Sequence, residues 1–418
     1  MVTLLEDCAG TRIGSGEVLG DRVRISIYKE PLTRSDWTTH DYNVHFSFGL
    51  HNDGERCRVH ITVGEKDYED LPNIAPILYK SAFPDRCFKP FTGDARTDLK
   101  KNYALILELN EGETVYLANT YVRASASIKN IFERLGDSSG MYRHVYGKSV
   151  DGRDLVAYFS DKECKKPAML ISSGFHPPEP DTLGTESILE WLSSQEGRMR
   201  RRLFNFVVVP LVNPDGFVRR TQGANANGIN LYWYFAKELH GTCPEASYLW
   251  KFTKTIRPVG YIDFHSYTFQ TKKESGPYVR PLFFYPSPVM REVASRFYRA
   301  LMGRRRKPVF GFPTYAPHTL GSMLAKEYGT VTAAKYHLHL KNGVDEMREE
   351  AVWVLRQLVE SFLKSGSTDF PKSREGRWFG LIAKLYCFIT GCLRPQLGLI
   401  RRGKIKDVDF SRTGIRSP

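Results

Sequence analysis

Residues 169–181 have the sequence MLISSGFHPPEPD, an apolar run that passes directly into a turn rich in proline and acidic residues. Two more apolar runs, FNFVVVPLVNPDG at 204–216 and GYIDFHSYTFQ at 260–270, have the same form. We predict strands at 169–171, 206–212 and 261–264, and helices at 288–301 and 344–363. Fully apolar strands between helices indicate a sheet that is buried on both faces. The predicted fold class is therefore α/β, with a mixed, mostly parallel sheet flanked by helices.

The N-terminal part of the chain follows a different pattern. Apolar residues alternate with polar or small ones at 23–27, 42–50, 59–63 and 103–109. An alternation of period two places one face of a strand on a core and the other face in water. We therefore predict that a small antiparallel β-sandwich precedes the α/β unit.

Three regions follow from these changes in pattern: a β-sandwich-like domain at 1–135, the α/β domain at 136–365 and a basic tail at 366–418. The tail contains an apolar segment of 16 residues, 378–393, which Lys384 interrupts. This segment is too short and too charged for a membrane span of about 20 residues. It either lies on an anionic membrane surface, as a peripheral contact, or packs on the protein's own surface.

The composition is that of a folded protein with a basic surface. Of 418 residues, 41% are apolar and 25% are charged, and the formal net charge is +14. Such a balance suits nucleic acid, an anionic membrane or an acidic substrate, or it is only a solvated surface. Because no other feature indicates nucleic acid, we expect no nucleic-acid partner, and the oligomeric state is left open.

The cysteines and the N-terminus indicate the cellular setting. Seven cysteines lie at scattered positions, without the paired spacing of a zinc ribbon. The first residues, MVTLLEDCAGTR, lack the basic segment and apolar core of a secretory signal. We therefore expect reduced cysteines and a cytoplasmic location.

Metal-binding side chains follow two of the predicted strands. His176 and Glu179 come directly after the first strand, and His265 ends the third. An H-x-x-E match alone is weak evidence, and a single histidine is more often part of a core. However, the carboxyl ends of parallel strands meet at one edge of a sheet, where α/β proteins build their sites. Two histidines and one glutamate with an open fourth position form the ligand set of a hydrolytic zinc site.

Five motifs in one order make this chain similar to the zinc metallocarboxypeptidases. They are YGKSVDGRDL at 146–155, GFHPPE at 174–179, VVVPLVNPDGF at 207–217, NANGIN at 225–230 and DFHSY at 263–267. The resemblance covers about residues 141–363. The β-rich region before it resembles the layout of the cytosolic carboxypeptidase branch.

The resemblance implies a carboxypeptidase-like fold and one Zn²⁺ ion held by His176, Glu179 and His265. It also implies that a zinc-activated water hydrolyses a peptide or amide bond. The partner would be the C-terminal end of a peptide or protein. The basic charge suggests an acidic substrate.

The sequence departs from the family where the substrate carboxylate is bound. The Asn-Arg pair that the family carries after the NGIN segment is replaced here by Tyr232 and Trp233. Arg219 or Arg220 could match the family's other arginine, which polarises the carbonyl, or form a surface pair. Tyr315 could match the mobile tyrosine that caps the substrate, or be an ordinary tyrosine.

A second departure concerns the general base. Counting from Gly329 places the family's glutamate at or near Tyr336, with Lys335 and His337 beside it. None of these is a carboxylate, and a general base contributes about 10²- to 10⁴-fold to a rate. His337 is a substitute if it faces the metal, because neutral imidazole accepts a proton near pH 7.

Two interpretations remain. The chain is a zinc-dependent hydrolase with altered substrate recognition, or it is a zinc-binding pseudoenzyme or peptide-binding module. On the second interpretation the aromatic residues 232–235 line a pocket for a partner segment. A role driven by basic charge alone is a third alternative.

Overall fold

The structure is a computed structural model, and it describes thirteen ranges of the chain. These are residues 1–5, 13–28, 30, 45–64, 78–84, 88–91, 103–235, 242–267, 277–285, 287–304, 309–313, 319–340 and 343–365. The predictions for the tail at 366–418 and for Tyr315 fall outside these ranges.

Two sheets are formed before residue 120. Their strands are β1 (Val2–Leu5), β2 (Ser15–Leu19), β3 (Arg22–Ser26), β4 (Ser47–Asn52), β5 (Cys57–Gly64), β6 (Leu78–Ser81), β7 (Lys89–Phe91), β8 (Tyr103–Leu109) and β9 (Thr114–Ala118). One sheet has the order β1-β4-β9-β6-β7, and the other has the order β2-β3-β5-β8. Apolar residues of both sheets share one buried core, among them Ile25, Leu50, Ile61 and Leu117. The predicted β-rich, sandwich-like region is therefore present.

One strand pair in this region differs from the antiparallel prediction. β3 and β5 run parallel, with Val23 opposite Ile61. Between them the chain forms β4, which pairs in the other sheet. Because the chain crosses to the second sheet and returns, β5 enters beside β3 in the same direction, whereas a short hairpin would have made the pair antiparallel.

The large sheet has eight strands in the described ranges. They are β10 (Tyr142–Lys148), β11 (Asp154–Phe159), β12 (Ala168–Ser172), β13 (Asn205–Val209), β14 (Gly260–Tyr267), β15 (Tyr278–Val279), β16 (Val309–Pro313) and β17 (Val331–His339). Their order is β10-β11-β13-β12-β14-β17-β15-β16. The four central strands, β13, β12, β14 and β17, are mutually parallel. Every residue of β12 and β13 is buried, which is the reason for their continuous apolar sequence.

Helices cover both faces of this sheet, as predicted. They are α1 (Ser125–Ser139), α2 (Thr182–Ser193), α3 (Gln195–Arg201), α4 (Pro214–Arg219), α5 (Pro244–Ile256), α6 (Pro288–Gly303), α7 (Leu320–Tyr328) and α8 (Val344–Leu363). One face packs on α2, α6 and α8, and the other packs on α5 and α7. The strand order also reverses at β12, since β13 lies on one side of it and β14 on the other. Such a reversal opens a crevice at the carboxyl ends of the strands.

The N-terminal region contacts the loops at that crevice. The carboxylate of Glu30 accepts hydrogen bonds from the backbone N–H groups of Gly223 and Ala224, at 2.8 and 3.1 Å. The Thr120 hydroxyl donates to the carbonyl of Pro178, at 2.5 Å. These contacts fix two loops that border the crevice. The domain boundaries predicted at 135 and 365 stay predictions.

Two predictions from composition concern the cysteines and the membrane. Cys57, Cys164 and Cys243 lie in the described ranges, and all three are free thiols. Among the helices of those ranges, none combines the length and apolar character that crossing a bilayer requires.

Candidate metal centre

The fold brings the first and third motifs together at the crevice. β12 and β14 are parallel neighbours, with Ile171 opposite Ile262 and Ser172 opposite Asp263. The chain leaves β12 into the turn that carries His176 and Glu179, while His265 lies in the last part of β14. Within this turn the N–H of Glu179 donates to the carbonyl of His176, at 3.0 Å.

Three side chains converge there. Nδ1 of His176 lies 2.9 Å from Oε1 of Glu179, and Nδ1 of His265 lies 3.2 Å from Oε2 of the same carboxylate. One ligand atom from each residue lies within 4.8 Å of the other two. Both histidines are buried, with 2% and 0% of their surfaces exposed.

The donor set fits a zinc ion. Zn–N and Zn–O bonds of about 2.1 Å in a tetrahedron separate neighbouring ligand atoms by about 3.4 Å. Small shifts from the observed spacings satisfy this requirement. Three protein ligands leave one coordination position for water or substrate, as in catalytic zinc sites. His176, Glu179 and His265 are therefore the residues that would hold the metal.

Hydrogen bonds from outside the ligand set orient its members. Oδ2 of Asp263 lies 3.2 Å from Nε2 of His265, and the Ser172 hydroxyl donates to Oδ1 of Asp263 at 2.8 Å. The N–H of Ser266 donates to Glu179, also at 2.8 Å. A carboxylate on the far nitrogen of a ligating histidine fixes its tautomer and its orientation.

Asp263 was not among the predicted site residues, although the sequence contains a signal for it. Residues two apart on a strand share a face, so the D-x-H spacing places Asp263 and His265 side by side.

The charges of the centre stabilise one another. Burial opposes ionisation of Glu179, but His176 and His265 outweigh this effect and hold its pKa well below the ordinary value. Burial lowers the pKa of His265, whereas Asp263 and Glu179 raise it to about 10. A zinc ion must displace the proton from His265, so metal affinity should increase with pH.

An aromatic wall stands beside these imidazoles. The short 3-10 helix Leu231–Trp233 places the ring of Tyr232 4.8 Å from that of His265 and 5.8 Å from that of His176. The ring of Trp233 packs 5.0 Å from that of Tyr232. The structure therefore places Tyr232 beside the two histidines of the metal centre, and Trp233 contacts Tyr232.

Tyr234 and Phe235 lie in the core as well. Both are buried, in the same apolar cluster as Leu249 and Trp250 of α5. Tyr232 and Trp233 belong to this cluster too, so all four residues at 232–235 are buried, and the predicted pocket lining stays a prediction.

The two candidate arginines, Arg219 and Arg220, make different contacts. Arg219 is half-exposed, and its guanidinium makes a two-pronged contact with the carboxylate of Asp151, at 2.8 and 2.9 Å. Arg220 ends α4 with a left-handed backbone, φ 59°. It lines a cavity of about 560 Å³ that also contacts Glu179 and the prolines on either side of it. Of the pair, Arg220 is the one that lines a cavity together with the candidate ligand Glu179.

The two candidate proton acceptors on β17 point in opposite directions. The Tyr336 hydroxyl donates to Glu350 of α8, at 2.8 Å, and its ring packs in the core on that side of the sheet. The His337 ring lies 6.0 Å from that of His265. Burial, the charge of Lys335 and the charge of His265 hold the pKa of His337 well below its ordinary value. The structure therefore places His337 beside the metal centre and Tyr336 away from it.

Comparisons with known proteins agree with this fold. Residues 131–271, which include all three candidate ligands, match the family model described as zinc carboxypeptidase. A comparison with curated proteins gave no match. The resemblance predicted from the motifs is confirmed.

Two solved structures are similar along most of the chain. A metallo-carboxypeptidase from Burkholderia cenocepacia is 15% identical, with a TM-score of 0.70, over 88% of this chain and 100% of that one. A metallo-carboxypeptidase from Pseudomonas aeruginosa, in complex with (2-guanidinoethylmercapto)succinic acid, is 16% identical, with a TM-score of 0.68, over 87% of this chain and 99% of that one. The chain therefore has a metallocarboxypeptidase-like fold, and the predicted fold class is confirmed.

Proposed function

We propose that this chain is a zinc-dependent hydrolase of peptide or amide bonds. The convergence of His176, Glu179 and His265 within 4.8 Å, at a topological switch point, is the observation that carries the proposal. The match of residues 131–271 to zinc carboxypeptidases supports the same activity.

Each part of the centre has a chemical task in this proposal. Bound zinc supplies a Lewis acid that polarises a carbonyl and lowers the pKa of water to about 7. His176, Glu179 and His265 fix the ion. Asp263 holds His265 in the orientation for ligation through its 3.2 Å contact with Nε2.

We assign the task of proton acceptor to His337 and not to Tyr336. The side chain of His337 shares a face with His265, whereas the Tyr336 hydroxyl is occupied by Glu350. Burial, Lys335 and His265 hold the pKa of His337 well below its ordinary value, so the imidazole is neutral but is a weaker base than an ordinary histidine.

The substrate in this proposal is the C-terminal end of a peptide or protein. The similar structure from Pseudomonas aeruginosa was solved with a succinic acid derivative, which carries carboxylates. We extend this chemistry to the present chain, with an acidic or carboxylate-bearing ligand suited to its net charge of +14.

A panel of blocked dipeptides tests the activity. Peptides ending in acidic, basic or apolar residues are incubated with the zinc-loaded full chain, and release of the last residue is measured. We expect cleavage of at least one class, its loss on adding a chelator, and its return on adding zinc. A zinc-loaded chain that cleaves no peptide of the panel would contradict the hydrolase proposal.

The role of Asp263 gives a separate prediction. Asp263→Asn keeps the volume but removes the charge that orients His265, so we expect zinc affinity to fall by about 10- to 100-fold. Competition with a chromophoric chelator measures the affinity. Ser15→Ala, at an exposed hydroxyl pair in the N-terminal region, is the control and should leave the affinity unchanged.

A second candidate, zinc-dependent ligand binding without turnover, has one observation in its favour. β17 carries no Asp or Glu in its sequence VTAAKYHLH. If His337 does not accept the proton, the centre would hold a ligand without cleaving it. His337→Gln separates the two functions: loss of cleavage with intact zinc content supports the hydrolase, because the variant has lost only its proton acceptor.

A further inference from the structure

The edge of the large sheet opposite the metal centre is basic. β12 and β13 run parallel and begin at Ala168 and Asn205, whereas the metal-bearing turn follows the carboxyl end of β12. The segments that lead into the two strands therefore lie at the amino edge. They contact each other there, because Nζ of Lys166 donates to the carbonyl of Arg201 at 2.9 Å. We define the basic edge as residues 161–167, residues 195–203 and residues 360–365, where α8 ends.

Positive charge exceeds negative charge on the basic edge. Its lysines and arginines are Lys162, Lys165, Lys166, Arg198, Arg200, Arg201, Arg202 and Lys364, and its acidic residues are Asp161, Glu163, Glu196 and Glu360. Eight cations against four carboxylates leave a net charge of +4 on these residues. A local excess of one sign attracts partners of the opposite sign. We therefore expect the partner of this edge to carry negative charge.

α3 packs one side against α8 and turns its other side to solvent. The carboxylate of Glu196 accepts a hydrogen bond from Arg356 of α8, and Arg200 forms an ion pair with Glu360 one turn further along. The helical backbone continues through Arg202, with φ −70° and ψ −27°. The contacts with α8 thus fix which face of α3 meets the solvent.

The solvent-facing side of α3 combines apolar and basic side chains. Met199 and Leu203 are 51% and 50% exposed, and Arg198 and Arg202 beside them are exposed as well. These four positions follow the helical spacing i, i+1, i+4 and i+5, so they share one face. Apolar side chains next to arginines are typical of a helix that lies in the interface of a membrane.

The two exposed arginines keep donors for an external anion. On the part of the chain that the structure describes, the guanidinium group of Arg202 forms no hydrogen bond or ion pair. The guanidinium group of Arg198 donates to the carbonyl of Ser193 through Nη1, at 2.6 Å, and its other nitrogens stay available. A guanidinium fork binds phosphate and carboxylate oxygens in pairs. Both arginines can therefore bind the headgroups of anionic lipids.

The apolar pair distinguishes between two kinds of anionic partner. A nucleic acid duplex offers phosphates to the arginines, but its charged backbone gives Met199 and Leu203 no apolar surface to enter. A bilayer offers headgroup oxygens to the arginines and an acyl boundary, about 5–10 Å deep, to the apolar side chains. The exposed pair therefore favours a membrane.

The position of the basic edge is compatible with docking. The metal centre lies at the carboxyl ends of the strands, so a chain docked by their amino ends keeps the crevice open to solution. The described part of the chain also ends on this edge, at residue 365. The sequence at 366–418 continues from there with 11 lysines and arginines against 4 acidic residues. The folded edge and the sequence that follows it therefore carry charge of the same sign.

We propose that the basic edge docks on an anionic lipid bilayer. Met199 and Leu203 enter the acyl boundary, and Arg198 and Arg202 bind the headgroups. The contact is peripheral, since only exposed side chains enter the interface. It requires neither zinc nor catalysis, so it is tested separately from the proposed function.

Sedimentation with lipid vesicles tests the proposal on the full chain, without added zinc. One set of vesicles contains equal parts of phosphatidylserine and phosphatidylcholine, and the other contains phosphatidylcholine alone. We expect binding to the first set only, with an affinity that falls as the salt concentration rises. Arg198→Gln/Arg202→Gln should weaken this binding by about tenfold or more, because each cation near such a surface contributes about fivefold.

A second double variant tests the apolar part of the contact. Met199→Gln/Leu203→Gln should weaken vesicle binding by about tenfold at low and at high salt, because apolar contact is not screened. Both positions are on the surface, so the variant should keep the melting temperature of the unmodified chain. Matched changes on an exposed hairpin of the N-terminal region, Arg22→Gln/Arg24→Gln and Leu19→Gln, are the controls and should leave binding unchanged.

Three results would overturn the proposal. Equal sedimentation with the two sets of vesicles, or none with either, would remove the role of anionic lipid. Unchanged affinity in Arg198→Gln/Arg202→Gln would show that the folded edge does not carry the contact. Binding of a duplex RNA oligonucleotide that falls in the arginine variant, with vesicle binding unaffected by Met199→Gln/Leu203→Gln, would assign the edge to nucleic acid instead.

Discussion

Alanine at position 265 is expected to leave the purified chain without stoichiometric zinc. His265 is fully buried, and its Nδ1 lies against Glu179 while its Nε2 lies against Asp263. Removing it takes one of three ligands and leaves two carboxylates facing each other. Loss of an outer hydrogen-bond partner already weakens metal binding by about 10- to 100-fold, so loss of a ligand should weaken it by more than 100-fold.

Zinc per chain is measured by atomic emission after dialysis, for the unmodified chain and for His265→Ala and His176→Ala. His337→Ala is the matched control, because this buried histidine lies 6.0 Å from His265 and is outside the proposed ligand set. His60→Ala, at an exposed position of β5, is a second control. Both controls should keep one zinc ion. Equal zinc in His265→Ala and in the unmodified chain would remove the basis of the proposed site.

A buried substitution can also unfold the chain, so the fold is checked independently. His265→Asn retains a polar side chain for the two carboxylates and should be folded by circular dichroism, yet low in zinc. A folded variant that binds zinc as well as the unmodified chain contradicts the ligand assignment in the same way.

Short-range patterns were sufficient to predict much of the α/β unit. α8 covers Val344–Leu363, the predicted range, because Met347, Ala351, Leu355 and Leu358 recur on one face. α6 begins at Pro288, as expected for proline at the first helical position, and extends two residues beyond the predicted end. Both are local effects, which a single sequence carries.

The general-base position shows where such patterns fail. Counting from Gly329 assumes that β17 alternates without interruption. One extra residue at Lys335 reverses the faces, so the residue at the counted position, Tyr336, turns to Glu350 and His337 takes its place at the centre. No local signal marks this bulge, since Lys335 has φ 51° there and lysine is an unfavourable residue for a positive φ.

Pairings between residues that are distant in the sequence could not be predicted from local patterns either. The parallel pairing of β3 with β5 depends on β4 joining the other sheet. The ion pair between Arg123 and Glu186 joins residues 63 apart in the sequence. Either residue alone has the appearance of an ordinary surface charge, and only the tertiary structure shows that both are largely buried.

That ion pair gives the largest expected effect on stability. The side chains of Arg123 and Glu186 are only 11% and 5% exposed, and Nη1 of Arg348 lies 3.5 Å from the other carboxylate oxygen of Glu186. Arg123→Met leaves a buried carboxylate with its weaker partner alone. We expect the free energy of unfolding to fall by about 3–5 kcal/mol, as for other broken buried pairs. Urea unfolding followed by tryptophan fluorescence measures the change.

Two variants test the cause. Glu186→Gln in the Arg123→Met background removes the stranded charge and should restore part of the loss. Lys129→Met breaks an exposed pair with Glu133, whose side chains are 67% and 43% exposed, and should cost less than about 1 kcal/mol. A loss in Arg123→Met no larger than that in Lys129→Met would show that the buried pair contributes little.

The pH dependence of the Arg123→Met defect follows from the carboxyl group left behind. Burial raises the pKa of Glu186 above its ordinary value, and Arg123 opposes that rise. Without Arg123 the pKa in the folded state should rise further, so the folded chain binds a proton that the unfolded chain has released. Stability relative to the unmodified chain should therefore fall as the pH rises between the unfolded and folded pKa values, and recover below them. A defect that is as large at pH 4.5 as at pH 7.5 would point to lost packing of the arginine stem, because a protonated Glu186 needs no counter-ion.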